Sequence, residues 1–181
     1  MLEIIAVRHT SVSVEPGTCY GCTDVGVADT FADEARRVKE TITGLGTTFN
    51  AVYCSPLTRC TLLARACGFT TFITDPRLRE MNFGEWEMQR YDAITDPRLQ
   101  IWYDDWQHVR ATGGESFEDQ YRRVADFVSD LITLPHRRIL IFAHAGTIVH
   151  LLRLSGLTPQ EAFSRQPKYG EHRQIILQNQ K

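Results

Sequence analysis

Nowhere does the sequence carry an apolar run long enough for a membrane span. Its opening, Met1-Leu2-Glu3-Ile4-Ile5-Ala6-Val7, has an acid at the third position and too short an apolar stretch for a signal-peptide core. The expectation is a cytoplasmic protein with no membrane partner. Neither charge sign prevails, since 20 Lys and Arg face 22 Asp and Glu for a net charge of -2. That balance exerts no general pull on nucleic acid, so an anion site has to be assembled locally. Cysteine is sparse and odd in number, with five residues at Cys19, Cys22, Cys54, Cys60 and Cys67. An odd set without an export signal argues against a disulfide framework and for free thiols. Cys19-Tyr20-Gly21-Cys22 has the spacing of a redox or zinc pair, but no second pair with metal spacing accompanies it. Two loop thiols and no metal are therefore expected. Repeats, low-complexity segments and linkers are missing too, and 181 residues suit one domain over 1–181.

What is present is a strand and helix alternation. Ile4-Ile5-Ala6-Val7 and Ile139-Leu140-Ile141-Phe142-Ala143 are short, unbroken apolar runs rich in β-branched residues, as strands covered on both faces require. Ala51-Val52-Tyr53-Cys54, Thr70-Thr71-Phe72-Ile73 and Gln174-Ile175-Ile176-Leu177 bring the expected count to five. Phe31, Ala35, Val38, Ile42 and Leu45 follow the helical repeat behind Thr30 as N-cap, and Gly44 and Gly46 end that helix. A longer helix starts at Ser116, places Phe117, Tyr121, Val124, Val128, Leu131 and Ile132 on one side, and stops at Pro135. Residues 97–109, with Trp102, Tyr103 and Trp106, also read as helical. The alternation predicts an α/β three-layer sandwich, a mostly parallel central sheet flanked by helices.

Three of the predicted strands run directly into basic side chains. The first leads to Arg8-His9, the second to Ser55-Pro56-Leu57-Thr58-Arg59, and the fourth to His144-Ala145-Gly146. The carboxyl edge of an open α/β sheet is where ligands bind, so these distant positions are expected to converge. Ser55 suits an N-cap and Pro56 the first helical position, which places Arg59 in the first turn, beside backbone donors that favour an anion. Guanidinium groups offer donor forks that match phosphate oxygens. Two arginines and two imidazoles therefore describe a phosphate pocket. His108, His136, His150 and His172 have no evident convergent partners and read as structural.

Val7-Arg8-His9-Thr10, Cys54-Ser55-Pro56-Leu57-Thr58-Arg59 and Ala143-His144-Ala145-Gly146, in that order, resemble the three signature segments of the histidine phosphatase superfamily, which includes phosphoglycerate mutases. Residues 16–21, 78–88, 102–108 and 113–116 are similar to segments of its alpha-ribazole phosphatases. The chain departs from many relatives at Thr10-Ser11-Val12, where Gly and Glu-Thr are common. The resemblance implies a phosphoglycerate mutase-like fold and a cofactor-free phosphomonoesterase. His9 would be the nucleophile, Arg8, Arg59 and His144 would hold the phosphoryl oxygens, and Glu80 would be the proton donor, with Glu85, Glu87 and Glu115 as rivals. The partner implied is a small phosphate monoester, alpha-ribazole 5'-phosphate. A sugar-phosphate phosphatase, a phosphoglycerate-mutase-like phosphotransferase and a non-catalytic phosphate-binding domain are the alternatives. The aromatic stretch around Trp102 would then cover the pocket and suit a flat apolar base.

Overall fold

A computed structural model describes residues 1–46 and 48–178. Strands β1 (Leu2–Arg8), β2 (Ala51–Cys54), β3 (Ile73–Thr74), β4 (Arg138–Ala143) and β5 (His172–Leu177) form one sheet in the order β3-β2-β4-β1-β5. The pairs β1–β4, β2–β4 and β2–β3 are parallel, and β5 closes one edge antiparallel to β1. Among the described residues six α-helices accompany it: α1 (Phe31–Gly44), α2 (Thr58–Ala66), α3 (Arg98–Asp104), α4 (Phe117–Leu131), α5 (Ala145–Leu154) and α6 (Pro159–Ser164).

The unbroken apolar strands are explained by what lies on each side. Ile4 and Ala6 of β1, with Ile139, Ile141 and Ala143 of β4, point into a core shared with α4, α5 and α6. Ile5 and Val7, with Leu140 and Phe142, point the other way, against α1 and α2. A period of two on a doubly covered sheet puts the apolar residues of β1 and β4 in one core or the other. The three-layer arrangement follows from this.

Local chemistry fixes the helices. Ser116 caps α4 through a reciprocal capping box with Asp119. On its inner face the expected Phe117, Val124, Val128 and Leu131 are joined by Phe127, whereas Ile132 lies outside the helix and is exposed. The structure corrects the start of α2. Its N-cap is Leu57, not Ser55, so Pro56 precedes the helix. The cap is supplied from elsewhere: Asp24 accepts from the Thr58 backbone N–H at 2.8 Å and from the Thr58 hydroxyl at 2.5 Å. Arg59 still falls in the first turn. The third strand is also shorter and later than expected. Ile73 and Thr74 pair in parallel with Tyr53 and Cys54 of β2.

The chain leaves β1 for α1 on one face of the sheet and leaves β4 for α5 on the other, although the two strands are neighbours. Connections that diverge from adjacent parallel strands open a crevice at their carboxyl ends. The backbone continues the ladder there, with His9 N–H donating to Ala143 O at 3.0 Å and Ser55 N–H to Phe142 O at 2.9 Å. Ser55, His144 and His9 thus stand side by side at the ends of β2, β4 and β1.

Candidate active site

A cavity of about 740 Å³ opens over that crevice, and its floor includes Arg8, His9, Glu80 and Gly146. His9 is buried, and its Nδ1 lies 2.7 Å from the Thr10 carbonyl oxygen. A carbonyl only accepts, so the ring proton is on Nδ1 and the Nε2 lone pair is free. Burial, joined by the positive charge of Arg59 and then Arg8, pulls the His9 imidazole down to about 3 despite the opposing bond to Thr10. The ring is therefore neutral throughout the physiological range.

His144 stands edge to face with His9, ring centroids 5.1 Å apart. Its Nε2 is 2.8 Å from the Ser55 hydroxyl, and the Cys60 sulfur packs 3.6 Å from the same nitrogen. Complete burial, with His9 and Arg59 nearby, holds its pKa well below the ordinary histidine value. Arg59 is also fully buried, its Nη1 and Nη2 donating to the carbonyls of Thr23 (2.9 Å) and Gly21 (2.6 Å). Arg8 donates from Nη1 to Pro167 O at 2.8 Å. Among the described residues, no carboxylate pairs with either guanidinium, and the Nε of each is buried without a partner. A buried cation with an unused donor and no counter-ion is the feature of an anion site. Arg8 and His9 line the cavity, whereas Arg59 and His144 lie fully buried beside His9 and do not form its wall.

Glu80 reaches the same floor from the loop before α3. Its Oε1 accepts from Met81 N–H (3.0 Å) and Gln120 Nε2 (2.8 Å), and its Oε2 accepts from Gly146 N–H (3.0 Å). At 146 a Cβ would fall 2.4 Å from Glu80 Oε1, so any larger residue would displace that carboxylate. Arg123 of α4 secures the loop, bonding the carbonyls of Arg77, Arg79 and Glu80 while paired with Glu115. The rival acids are placed otherwise. Glu85 is exposed, and Glu115 is taken by Arg123 and Asn82 N–H. Glu87 accepts from the backbone of Cys22, Thr23 and Phe83 and from the Thr23 hydroxyl, and these bonds outweigh its burial and hold its carboxyl below the usual range. Of the four, Glu80 alone lines the cavity.

Much of the remaining wall is aromatic, with Phe83, Trp102, Tyr103, Trp106, Phe117 and Phe163 facing the cavity. Trp102 packs against Phe83 and Trp86, with centroids 6.1 and 5.9 Å away. Tyr20, Tyr169 and Gln120 also line the site. Tyr20 lies within residues 16–21, but neither Tyr169 nor Gln120 has a local sequence pattern that marks its position. The five cysteines are free thiols, Cys22 half-buried and the others buried. His150 is buried against Phe117 and Tyr121 and does not itself line the cavity.

The profile of the histidine phosphatase superfamily (branch 1) matches residues 4–180. An adenosylcobalamin/alpha-ribazole phosphatase of Escherichia coli (strain K12) is 34% identical over 130 residues, covering 65% of this chain and 61% of that protein. The chain thus spans under two thirds of that relative's length. The crystal structure of the alpha-ribazole phosphatase from Shigella flexneri superposes with a TM-score of 0.88 at 24% identity, over 98% of this chain and 92% of that one, a likeness of fold. A phosphoglycerate mutase structure from Thermus thermophilus gives a TM-score of 0.75 at 26% identity, with 96% and 92% covered.

Proposed function

The chain belongs to the histidine phosphatase superfamily, and from that premise we propose that it hydrolyses a phosphate monoester through a phosphohistidine on His9. The observation that carries this reading is the bond from His9 Nδ1 to the Thr10 carbonyl at 2.7 Å, which leaves Nε2 unprotonated beside two guanidinium groups without carboxylate partners. His9 Nε2 attacks phosphorus in line with the ester oxygen, so the N–P bond forms as the P–O bond breaks. Arg8, which lines the cavity, bears on the phosphoryl oxygens through its unused Nε donor, and Arg59, buried beside His9, adds its positive charge next to the reacting nitrogen. In this reading Ser55, which accepts from Leu57 N–H at 3.4 Å, donates its hydrogen to His144 Nε2, and His144 carries its own proton on Nδ1 as a donor toward phosphate. Such preorganised donors act most strongly where water is excluded.

The departing alkoxide takes a proton from Glu80. Both Oε1 acceptor positions are occupied by Met81 and Gln120, so Oε2, which accepts only from Gly146, is the oxygen that carries it. Ionised Glu80 then takes a proton from water, whose oxygen attacks phosphorus. The N–P bond breaks, inorganic phosphate leaves, and neutral His9 is restored.

For the substrate we favour alpha-ribazole 5'-phosphate, on the name of the Escherichia coli relative and on the aromatic wall, which suits a flat apolar base. A phosphoglycerate would instead bring its carboxylate toward Glu80 and that apolar wall. The test is a panel of alpha-ribazole 5'-phosphate, sugar phosphates and phosphoglycerates scored for phosphate release and for isomerisation. Release with the highest kcat/KM on the ribazole ester is expected. Isomerisation without release would replace this reading with a phosphotransferase, and no turnover would leave a phosphate-binding domain.

A further inference from the structure

Tyr20 and Tyr169 come from loops far apart in sequence and meet hydroxyl to hydroxyl at 2.6 Å beside the candidate site. Each ring faces one of the two guanidinium groups. The Arg8 Cζ lies 4.0 Å from the Tyr169 ring centre, and the Arg59 Cζ lies 5.7 Å from that of Tyr20. The segment around Tyr169 also grips β1 directly: Pro167 O accepts from Arg8 Nη1 at 2.8 Å, Glu171 O from Arg8 N–H at 2.9 Å, and Gly170 N–H donates to His9 O at 3.1 Å.

This arrangement decides which edge of Arg8 is usable. The guanidinium face is covered by the Tyr169 ring, and Nη1 is consumed by Pro167. Among the described residues no hydrogen bond engages Nε or Nη2, and these two carry the parallel N–H pair that matches two oxygens of one phosphoryl group. A free arginine would spread over many rotamers, and ordering it during binding weakens affinity.

We propose that Tyr169, tied to Tyr20, is a positioning residue that holds the Nε/Nη2 edge of Arg8 ready for the phosphoryl group. The tie couples the supports of the two guanidinium groups, because a shift of either ring is resisted through the shared hydroxyl bond. The inference rests on the reading that Arg8 binds phosphate.

The test is calorimetric titration of the whole protein with inorganic phosphate, with thermal unfolding as the check on folding. Tyr169→Leu, which removes the stack, is expected to weaken phosphate binding about 3- to 30-fold. Tyr169→Phe and Tyr20→Phe, which remove the shared bond and keep both rings, should each weaken it about 2- to 10-fold. The double Phe variant should be no weaker than either single one, because both remove the same bond. Additive losses, or no loss in the Phe variants, would overturn the tie, and these remain measurable even where Tyr169→Leu does not fold. Normal binding by a folded Tyr169→Leu protein beside weakened binding by Arg8→Ala would overturn the positioning role. Normal binding by Arg8→Ala would overturn the phosphate reading itself.

Discussion

His9 and His144 stand at the ends of neighbouring parallel strands with their rings edge to face, 5.1 Å between centroids. Two imidazoles this close, beside two guanidinium groups, cannot both be charged, and burial drives both toward the neutral form. Nitrogen-15 NMR of the histidine rings should show His9 as the Nδ1-protonated tautomer, unchanged from pH 8 to 5. A midpoint near the ordinary value of about 6.5, or a proton on Nε2, would contradict the assignment.

The neutral histidines also set the response of stability to acid. His9, His144 and His150 are buried and have lowered pKa values, about 3 for His9 and about 2 for His150. Below about pH 6.5 the unfolded chain binds protons that the folded one does not, so stability is full above that pH and falls as pH drops toward the folded values. In His150→Leu the fall should be shallower by roughly 1.4 kcal/mol per pH unit. Denaturant unfolding of both proteins at pH 7, 6 and 5 measures it, and equal slopes would refute the account of His150.

Glu80 is held by Gln120 at 2.8 Å and sits against the bare backbone of Gly146. Glu80→Gln should lower kcat on alkyl phosphates by about 10²- to 10⁴-fold, and less on activated aryl phosphates that leave without a proton. Gln120→Leu should give a smaller loss with the same dependence on leaving group, on the order of 10-fold. Gly146→Ala should resemble Glu80→Gln, because the added methyl displaces the carboxylate. Leaving-group plots for the three variants decide the matter, and uniform losses across esters would count against proton donation.

Trp102 forms part of the aromatic wall. Trp102→Ala should raise KM for alpha-ribazole 5'-phosphate about 2- to 10-fold more than for a small aryl phosphate, the contribution expected of one stacked ring. Parallel changes in both constants would remove Trp102 from substrate recognition.

The sequence made legible those features that local physics controls. β1 and β4 stand out because both faces are buried, so their apolar runs are unbroken, and Ser116 marks α4 because its cap is three residues away. The start of α2 is misread because its cap comes from Asp24, 34 residues earlier. Most of α5 is buried, and a short apolar run of that kind does not by itself tell a helix from a strand. Arg8, His9, Arg59 and His144 are visible because Arg8 ends β1, His9 and His144 directly follow β1 and β4, and Arg59 comes soon after β2. Gln120 and Tyr169 are not, because a glutamine on a helix and a tyrosine in a loop acquire their meaning only when the fold brings Glu80 and Arg8 to them.

The most direct test of the account is to trap the phosphoenzyme. Glu80→Gln protein mixed with an activated aryl phosphate should accumulate it, since the first step needs no proton while the second lacks its base. After an alkaline quench, which preserves phosphohistidine, peptide mass spectrometry should find one phosphoryl group on His9, and His9→Ala should show neither label nor turnover. A label on another residue, or near-normal turnover by His9→Ala, would contradict the claim.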